Sequence, residues 1–170
     1  MKLCQAFVPV NKQSHLLKKF DCGKEDMNFF LSRFAVKHVQ LGLSRTFVLP
    51  VDDNADKQDI AAYYTLAMST VSPMKLPIKK SLPKYKIATV LLARLAVDVN
   101  FQGRRLGEKS LVTALRHAVK LCDDGLPAMG LILDVLDNDA MKFYQKFEFF
   151  HALTDDPMRL FVSMNALREI

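Results

Sequence analysis

Residues 91–107 read LLARLAVDVNFQGRRLG, and this stretch narrows the possible folds more than any other part of the chain. It opens as an apolar run long enough for a buried strand and breaks at Asp98-Val99-Asn100. It then passes through Gln102-Gly103-Arg104-Arg105-Leu106-Gly107 into a segment where Leu111, Leu115, Ala118, Val119 and Cys122 recur at helical spacing. Strand, short glycine-bearing loop, helix: this order turns a row of backbone N–H groups and a helix N-terminus toward one point. First-turn N–H groups lack partners and the helix dipole is positive there, so the point attracts a phosphate or pyrophosphate. Arg104 and Arg105 add full charges to those partial ones.

Two familiar phosphate loops fit poorly. A dinucleotide-binding turn needs G-x-G-x-x-G with an acidic residue about twenty positions on, whereas Gly103 and Gly107 stand alone. A P-loop needs G-x-x-x-x-G-K-[ST]. Here three residues separate the glycines, and Glu108 precedes Lys109-Ser110, which shifts the lysine and sets a carboxylate beside the phosphates. The plain alternative is an ordinary strand–turn–helix with surface arginines.

The loop resembles the Q/R-x-x-G-x-G/A pattern of the GNAT acetyltransferases, whose loop holds the pyrophosphate of acetyl-CoA. Gln102, Arg104, Leu106 and Gly107 stand where that pattern puts them, while Arg105 occupies a position where it expects glycine. If the N–H there approaches the pyrophosphate, the Arg105 side chain has to point away into solvent, either weakening cofactor binding or supplying a compensating salt link.

A chain of 170 residues is expected to form one domain, spanning 1–170, large enough to bury about 70% of its unfolded surface. Half of its residues are apolar and a quarter charged, and no low-complexity tract or internal repeat occurs, as in soluble globular proteins. No apolar run approaches the roughly 20 residues that span a bilayer. The start, Met1-Lys2-Leu3-Cys4, lacks the apolar core of a signal peptide, so a cytoplasmic location is expected. Cys4, Cys22 and Cys122 show no metal-binding spacing; free thiols and no metal site are expected. The net charge of +6, from 24 Lys and Arg against 18 Asp and Glu, favours polyanionic partners without establishing one. Lys75, Lys79, Lys80, Lys84 and Lys86 lie among three prolines, either in a solvated loop or in a mobile flap that meets an anionic substrate.

Read in order, residues 5–10 predict a short strand, and residues 24–41 an amphipathic helix on Met27, Phe30, Leu31, Phe34, Ala35 and Val39. Gly42 stands where a left-handed cap belongs. Residues 46–51 and 60–69 predict a hairpin, 72–86 a loop, 87–97 the central strand and 107–122 the helix after it. Residues 129–135 predict another buried strand, 139–147 a short helix, and 149–152 with 160–164 a last hairpin. The class is α+β: an antiparallel meander, then strand–helix–strand–helix–strand.

Further stretches resemble the GNAT toxins of type II toxin–antitoxin systems, and together they cover most of the chain. Phe20-Asp21-Cys22-Gly23 is similar to their opening motif, and Gly42-Leu43-Ser44-Arg45-Thr46-Phe47-Val48 to their helix-to-strand join. Tyr64-Thr65-Leu66 and Leu92-Ala93-Arg94-Leu95-Ala96-Val97-Asp98 resemble their third and fourth strands. Residues 139–149, DAMKFYQKFEF, resemble their A-x-x-F-Y-x-x-x-G-F, with Glu148 where glycine is usual. Were that position left-handed, a non-glycine residue would cost roughly 1–2 kcal/mol; otherwise the turn is rearranged.

The resemblance implies the GNAT (acyl-CoA N-acyltransferase) fold, a mixed, mostly antiparallel sheet splayed between its fourth and fifth strands and flanked by helices. It implies that Leu95, Ala96 and Val97 offer backbone groups to the pantetheine arm and acetyl carbonyl of acetyl-CoA, that Asn138, at the end of the preceding strand, touches the CoA arm, and that Tyr144 is the general acid. A phenol of pKa about 10 is protonated at neutral pH and can protonate a thiolate whose conjugate pKa is about 8.5; the alternative for Tyr144 is a packed aromatic beside Phe143. Asp137 and Asp139 read as caps. His15, His38, His117 and His151 are scattered and read as structural or surface residues.

No general base stands out. A lysine of pKa about 10.4 is neutral at pH 7 in roughly 0.04% of molecules, an α-amine near 7.7–8.0 in about 10%, so a site without a base suits the α-amine. The toxins resembled acetylate the α-amine of aminoacyl-tRNA and stop translation, and basic side chains can meet tRNA phosphates. The resemblance also implies a cognate DNA-binding antitoxin, of ribbon-helix-helix or similar type, and a possible homodimer. A non-toxic acetyltransferase of a protein or small amine, and a degenerate CoA-binding module, remain open at the level of sequence.

Overall fold

The computed structural model describes residues 2–170. They divide into two compact units, residues 2–67 with Arg94–Ala114, and Met68–Ala93 with Leu115–Ile170.

In the first unit, β1 (Val8–Pro9), β2 (Arg45–Pro50) and the start of β3 (Ile60–Val71) lead to the end of β4 (Ile87–Val97), in the order β1-β2-β3-β4. The expected hairpin is antiparallel β2–β3, in register Thr46↔Thr65 and Val48↔Tyr63, with a bulge at Leu49/Pro50. Thr46 and Thr65 sit directly opposite, fully buried, and satisfy each other through a 2.7 Å hydroxyl–hydroxyl hydrogen bond. The first strand is shorter than its apolar run predicts: its ladder with β2 is Val8–Pro9, Val10 N–H and Cys4 N–H donate singly to Thr46 C=O (3.0 Å) and Pro50 C=O (2.9 Å), and Leu3 forms an isolated bridge to Val51.

The amphipathic helix is two helices, α1 (Glu25–Arg33) and α2 (Ala35–Gln40), interrupted at Phe34 with φ −120° and ψ −26°. Hydrogen bonds from Phe34 N–H to Phe30 C=O and from His38 N–H to Phe34 C=O (2.8 Å each) carry the ladder through. The ladder therefore runs on across the break, which periodicity alone did not reveal, but Phe34, expected on the apolar stripe, is 39% exposed and lies outside the core. Phe30, Leu31 and Ala35 bury the inner stripe against Phe20, Val48, Ile60 and Tyr63. Gly42 closes α2 at φ +74°, the left-handed conformation open to a residue without Cβ.

In the second unit the order is β4-β5-β7-β6. β5 (Gly130–Asp134) runs parallel to β4 and antiparallel to β7 (Asp156–Ser163), which pairs antiparallel with β6 (His151–Leu153). Parallel neighbours need a crossover, supplied by α3 (Leu106–Asp123). Leu131, Ile132 and Leu133 are almost wholly buried, as a strand covered on both faces requires. A Cβ on Gly130 would collide with the Val162 carbonyl and come within 2.7 Å of the Phe161 ring, so this close pairing admits only glycine. α4 (Asn138–Tyr144) is shorter than the expected 139–147 helix, and α5 (Met164–Leu167), which the sequence reading lacked, follows β7.

Residues 72–86 hold a 3₁₀ turn, Pro73–Lys75, and are not a free flap. Leu76 is 4% exposed in a cluster with Val71, Ile132, Leu153 and Phe161, and Ile78 and Leu82 pack on it. Thr154 N–H donates to Lys75 C=O (3.0 Å), and Lys75 pairs with Asp155 (3.1 Å). The leucines and isoleucine lie down and Lys79, Lys80, Lys84, Tyr85 and Lys86 stay exposed, making a strap with a charged outer side.

Candidate functional site

Within β4 the register to β5 runs from Val90↔Leu131 to Leu92↔Leu133, and the strand continues through residues 93–97 past that last pair. At its end Asp98 N–H donates to Ala61 C=O of β3 (2.9 Å). Backbone groups alternate sides along a strand, so Ala96 faces β3 while Leu95 and Val97 face the opposite edge. Leu95 and Val97 are two of the three residues whose backbones were expected to serve a ligand; the third, Ala96, turns its backbone groups toward β3 instead. Val97 C=O is taken by the Gln102 side-chain amide (2.8 Å), so on that edge its N–H is the group that remains. The Ala96 side chain is buried with Tyr63 and Phe30.

A buried carboxylate organises the turn that follows. Asp98 accepts from Asp21 N–H (3.0 Å) and from Asn100 N–H (2.9 Å), and Val99 N–H donates to Asp21 C=O (2.8 Å). Asp21 in turn accepts from Gly23 N–H and from the Asn28 side-chain amide (2.8 Å each), contacts that hold its carboxyl below the usual carboxylate range. The Asn28 oxygen accepts from Cys22 N–H (2.8 Å), and Gln102 Nε2 donates to Cys22 C=O (3.0 Å) as well as to Val97. The Phe20-Asp21-Cys22-Gly23 motif, the end of β4 and the loop are thus one hydrogen-bonded body. Burial raises the Cys22 thiol, so it stays protonated and unreactive.

Gly103 (φ +79°) and Arg105 (φ +61°) both lie in the left-handed region. The helical ladder opens with Lys109 N–H to Arg105 C=O (3.2 Å), so the N–H groups of Leu106, Gly107 and Glu108 form the first turn and precede it. The Arg105 side chain points into solvent, 81% exposed, and its salt link is to Glu108 (3.2 Å from Nε, 3.1 Å from Nη2). Arg104, also exposed, lies 5.7 Å from the Phe101 ring centre. Leu106 is a packing anchor, buried with Leu49, Ala61, Ala62 and Phe101. Ser110 hydroxyl donates to Leu106 C=O (2.7 Å) and is buried, which removes it from any P-loop role.

In the second unit, Asp137 caps α4 by accepting from Ala140 N–H (2.9 Å). Asn138 is the first residue of α4 and is exposed, not the end of a strand. Tyr144 ends α4, 8% exposed, with edge contacts to Phe143 (5.1 Å) and Phe150 (5.8 Å). Burial pushes its phenol well above the ordinary range, so it holds its proton at neutral pH. Glu148 is not among the residues with positive φ, so the turn there is the rearranged one and carries no left-handed penalty.

Asp98, Asn28 and the bracing role of the Gln102 side chain were not found from sequence. Asp98 read as a strand break, and no local rule couples it to a backbone N–H 77 residues earlier. His15 is structural: its Nδ1 accepts from Asn11 N–H (2.9 Å), and burial lowers its pKa. Among the described residues no group of three or more His, Cys, Asp or Glu is placed to hold a metal ion, and no helix is long and apolar enough to cross a membrane.

No protein-family model matches the chain. It is 32% identical over 155 residues to a tRNA-acetylating toxin of Mycobacterium tuberculosis (strain ATCC 25618 / H37Rv), covering 89% of this chain and 87% of that protein. A crystallised tyrosine-to-phenylalanine variant of KacT superposes with TM-score 0.89 at 25% identity over 99% of each chain. AtaT complexed with acetyl-methionyl-tRNAfMet superposes with TM-score 0.86 at 25% identity over 96% of this chain and 97% of that one. AtaTR bound with acetyl-CoA gives 0.83 at 25% identity over 96% of both.

Proposed function

We propose a function from one premise: this chain belongs to the GNAT acetyltransferase toxins, the family of the tRNA-acetylating toxin that it matches. It is an N-acetyltransferase that moves the acetyl group of acetyl-CoA to the α-amine of aminoacyl-tRNA, which inhibits translation. The observation that carries this reading is a strand running past its last parallel pair into a left-handed loop and the N-terminus of α3.

The residues present suit the donor. Nothing lies within 4 Å of where a Gly103 side chain would be, and the Arg105 side chain turns into solvent, so backbone N–H groups are left bare toward an anion. The N–H groups of Leu106, Gly107 and Glu108 take the pyrophosphate, with Arg104 and Arg105 adding charge. Gln102 fixes the loop against the strand end. The N–H groups of Leu95 and Val97 hold the pantetheine arm and the acetyl carbonyl, Ala96 seats the strand on the core, and Asn138 contacts the CoA arm. Bound acetyl-CoA supplies an activated acyl thioester. Tyr144, kept protonated by its burial, gives its proton to the leaving sulfur. The attacking amine forms the amide as the thiolate leaves, and the proton it loses passes to solvent, from which Tyr144 regains the one it gave. An α-amine reaches its neutral form without a protein base.

Phosphates of the tRNA are met by exposed lysines of the strap, Lys79, Lys80, Lys84 and Lys86. The partner that silences the enzyme is a DNA-binding antitoxin, of ribbon-helix-helix type. The enzyme works in the cytoplasm as one catalytic domain, 1–170, in a homodimer.

The test follows radiolabel from acetyl-CoA onto charged tRNA, for the native protein and for Tyr144→Phe. The rate falls by roughly 10²–10⁴-fold in the variant while acetyl-CoA affinity is nearly unchanged. Label on protein lysines or polyamines, with charged tRNA unmodified across the amino acids, overturns the reading in favour of a plain acetyltransferase. Full activity in the variant overturns the assignment of Tyr144.

A further inference from the structure

In the first unit the two faces of the sheet are covered by different helices. One face packs Leu49, Ala62 and Val97 with Leu106 of α3, and the other packs Val48, Tyr63 and Ala96 with Phe30 and Ala35 of α1 and α2. Side chains two apart on a strand share a face, so Arg94 lies with Ala96 on the α1 face, away from the first turn of α3. Its guanidinium carbon stands 4.7 Å from the centre of the Phe30 ring, and Nη1 is 4.0 Å from the Met27 sulfur.

Arg94 is partly buried, and among the described residues no carboxylate pairs with it. Glu25 and Asp26 of α1 are exposed and do not reach it. The Asp98 oxygens accept from Asp21 and Asn100 N–H, and Asp21 accepts from Gly23 and Asn28. The Tyr63 hydroxyl donates to Met27 C=O (2.6 Å), and burial keeps it protonated, so it is no counter-ion either. Drawing a cation out of water costs free energy that one ring and a thioether return only in part. A leucine or methionine would pack on Phe30 without that cost. The guanidinium nitrogens without a partner are open to solvent, so an arriving anion can be gripped by parallel N–H groups of a fork already seated on Phe30.

The anion comes with the acceptor, because the donor's pyrophosphate belongs to the α3 face. Esterification removes the amino acid's own carboxylate, so the formal charge nearest the reacting amine is the phosphodiester joining the last two nucleotides. Arg94 directly precedes Leu95, whose N–H serves the acetyl end of the donor. We propose that Arg94 binds this last phosphodiester and so positions the aminoacyl ester, an inference that rests on the function proposed above.

The experiment uses the full chain, acetyl-CoA and a charged tRNA ligated from two pieces, so that its last phosphodiester is either natural or a neutral methylphosphonate. Each RNA carries the amino acid whose charged tRNA the native protein labels, and kcat/KM is measured for both. The native protein prefers the natural linkage by about 10- to 150-fold, the range for hydrogen bonds to a charged group. Arg94→Gln loses the preference and acts equally slowly on both RNAs. Arg94→Lys keeps the charge without the fork and retains part of it. The ratio is taken within one protein sample, so a variant that folds less well lowers both rates and leaves the ratio intact. A native ratio near one overturns the proposal. So does a native-like ratio in Arg94→Gln, which makes Arg94 a packing residue on Phe30. Charged tRNA left unlabelled by the native protein fails the catalytic reading and this proposal with it, whereas labelled tRNA with no preference fails the proposal alone.

Discussion

Arg105 offers a sign test of the loop's geometry. Its φ of +61° is a conformation that costs an L-residue roughly 1–2 kcal/mol, and the pattern this loop resembles has glycine there. Substitution by alanine or by glycine removes the exposed ion pair to Glu108 in both cases, so that contribution cancels between them. Alanine keeps the backbone penalty. Glycine relieves it but gives the unfolded chain more freedom, worth about 0.4–1 kcal/mol against folding. The glycine variant is therefore more stable than the alanine variant by about 0.8 kcal/mol at the midpoints of those ranges (roughly 0–1.6 at their extremes), the reverse of the order at ordinary helical or extended positions. In a chain of this size that difference is a rise of about 1–4 °C in Tm. Differential scanning calorimetry of Arg105→Gly and Arg105→Ala, at matched pH and ionic strength, measures it directly. An alanine variant as stable as the glycine variant, or more so, refutes the left-handed assignment and with it the argument that the loop bares its N–H groups.

Gly107→Asp places a carboxylate in the first turn of α3 beside Leu106 and Glu108, where the N–H groups are to meet pyrophosphate; calorimetry should show acetyl-CoA binding lost or sharply weakened, and equal binding would rule out this loop. Burial raises the phenols of Tyr63, Tyr64 (to about 12) and Tyr144. Above about pH 10 the unfolded chain releases these protons and the folded chain retains them, so stability is complete below about pH 10 and falls as pH rises from about 10 toward 12. A thermal-melt series in that window should show the loss, less steeply for Tyr64→Phe; a flat curve would sink the claim that the rings are desolvated. Replacing Lys84 and Lys86 with alanine should weaken tRNA binding without sequence preference and flatten the plot of log K against log[salt] by about one to two units; an unchanged slope would show that the strap does not meet phosphate.

Local pattern sufficed where structure follows from neighbours in sequence. The 87–97 strand and the helix after it were legible because an apolar run and a 3.6-residue period fall on single elements, which match β4 and α3 to within a residue at each end. Gly42 and Asp137 were legible for a similar reason, a cap being a contact within one turn. What sequence alone determined was this scaffold, together with the motifs that point to the family.

Tertiary structure decided the rest, because it depends on contacts between residues far apart in the chain. The phosphate loop is held by Asp98 and Gln102 reaching Asp21 and Cys22 across 77 and 80 residues, and no periodicity encodes such a bond. The strap reads as polar, proline-broken loop, yet Leu76 is drawn into a core assembled from Ile132, Leu153 and Phe161, which residue type alone does not reveal. Whether Arg105 and Glu148 would carry a left-handed backbone was equally undetermined. Both replace an expected glycine, but only Arg105 adopts positive φ, because it stands at the turn into α3 where the chain must reverse to start the helix. Sequence shows which residues are available for chemistry; the packed chain sets which of their backbone groups are free to perform it.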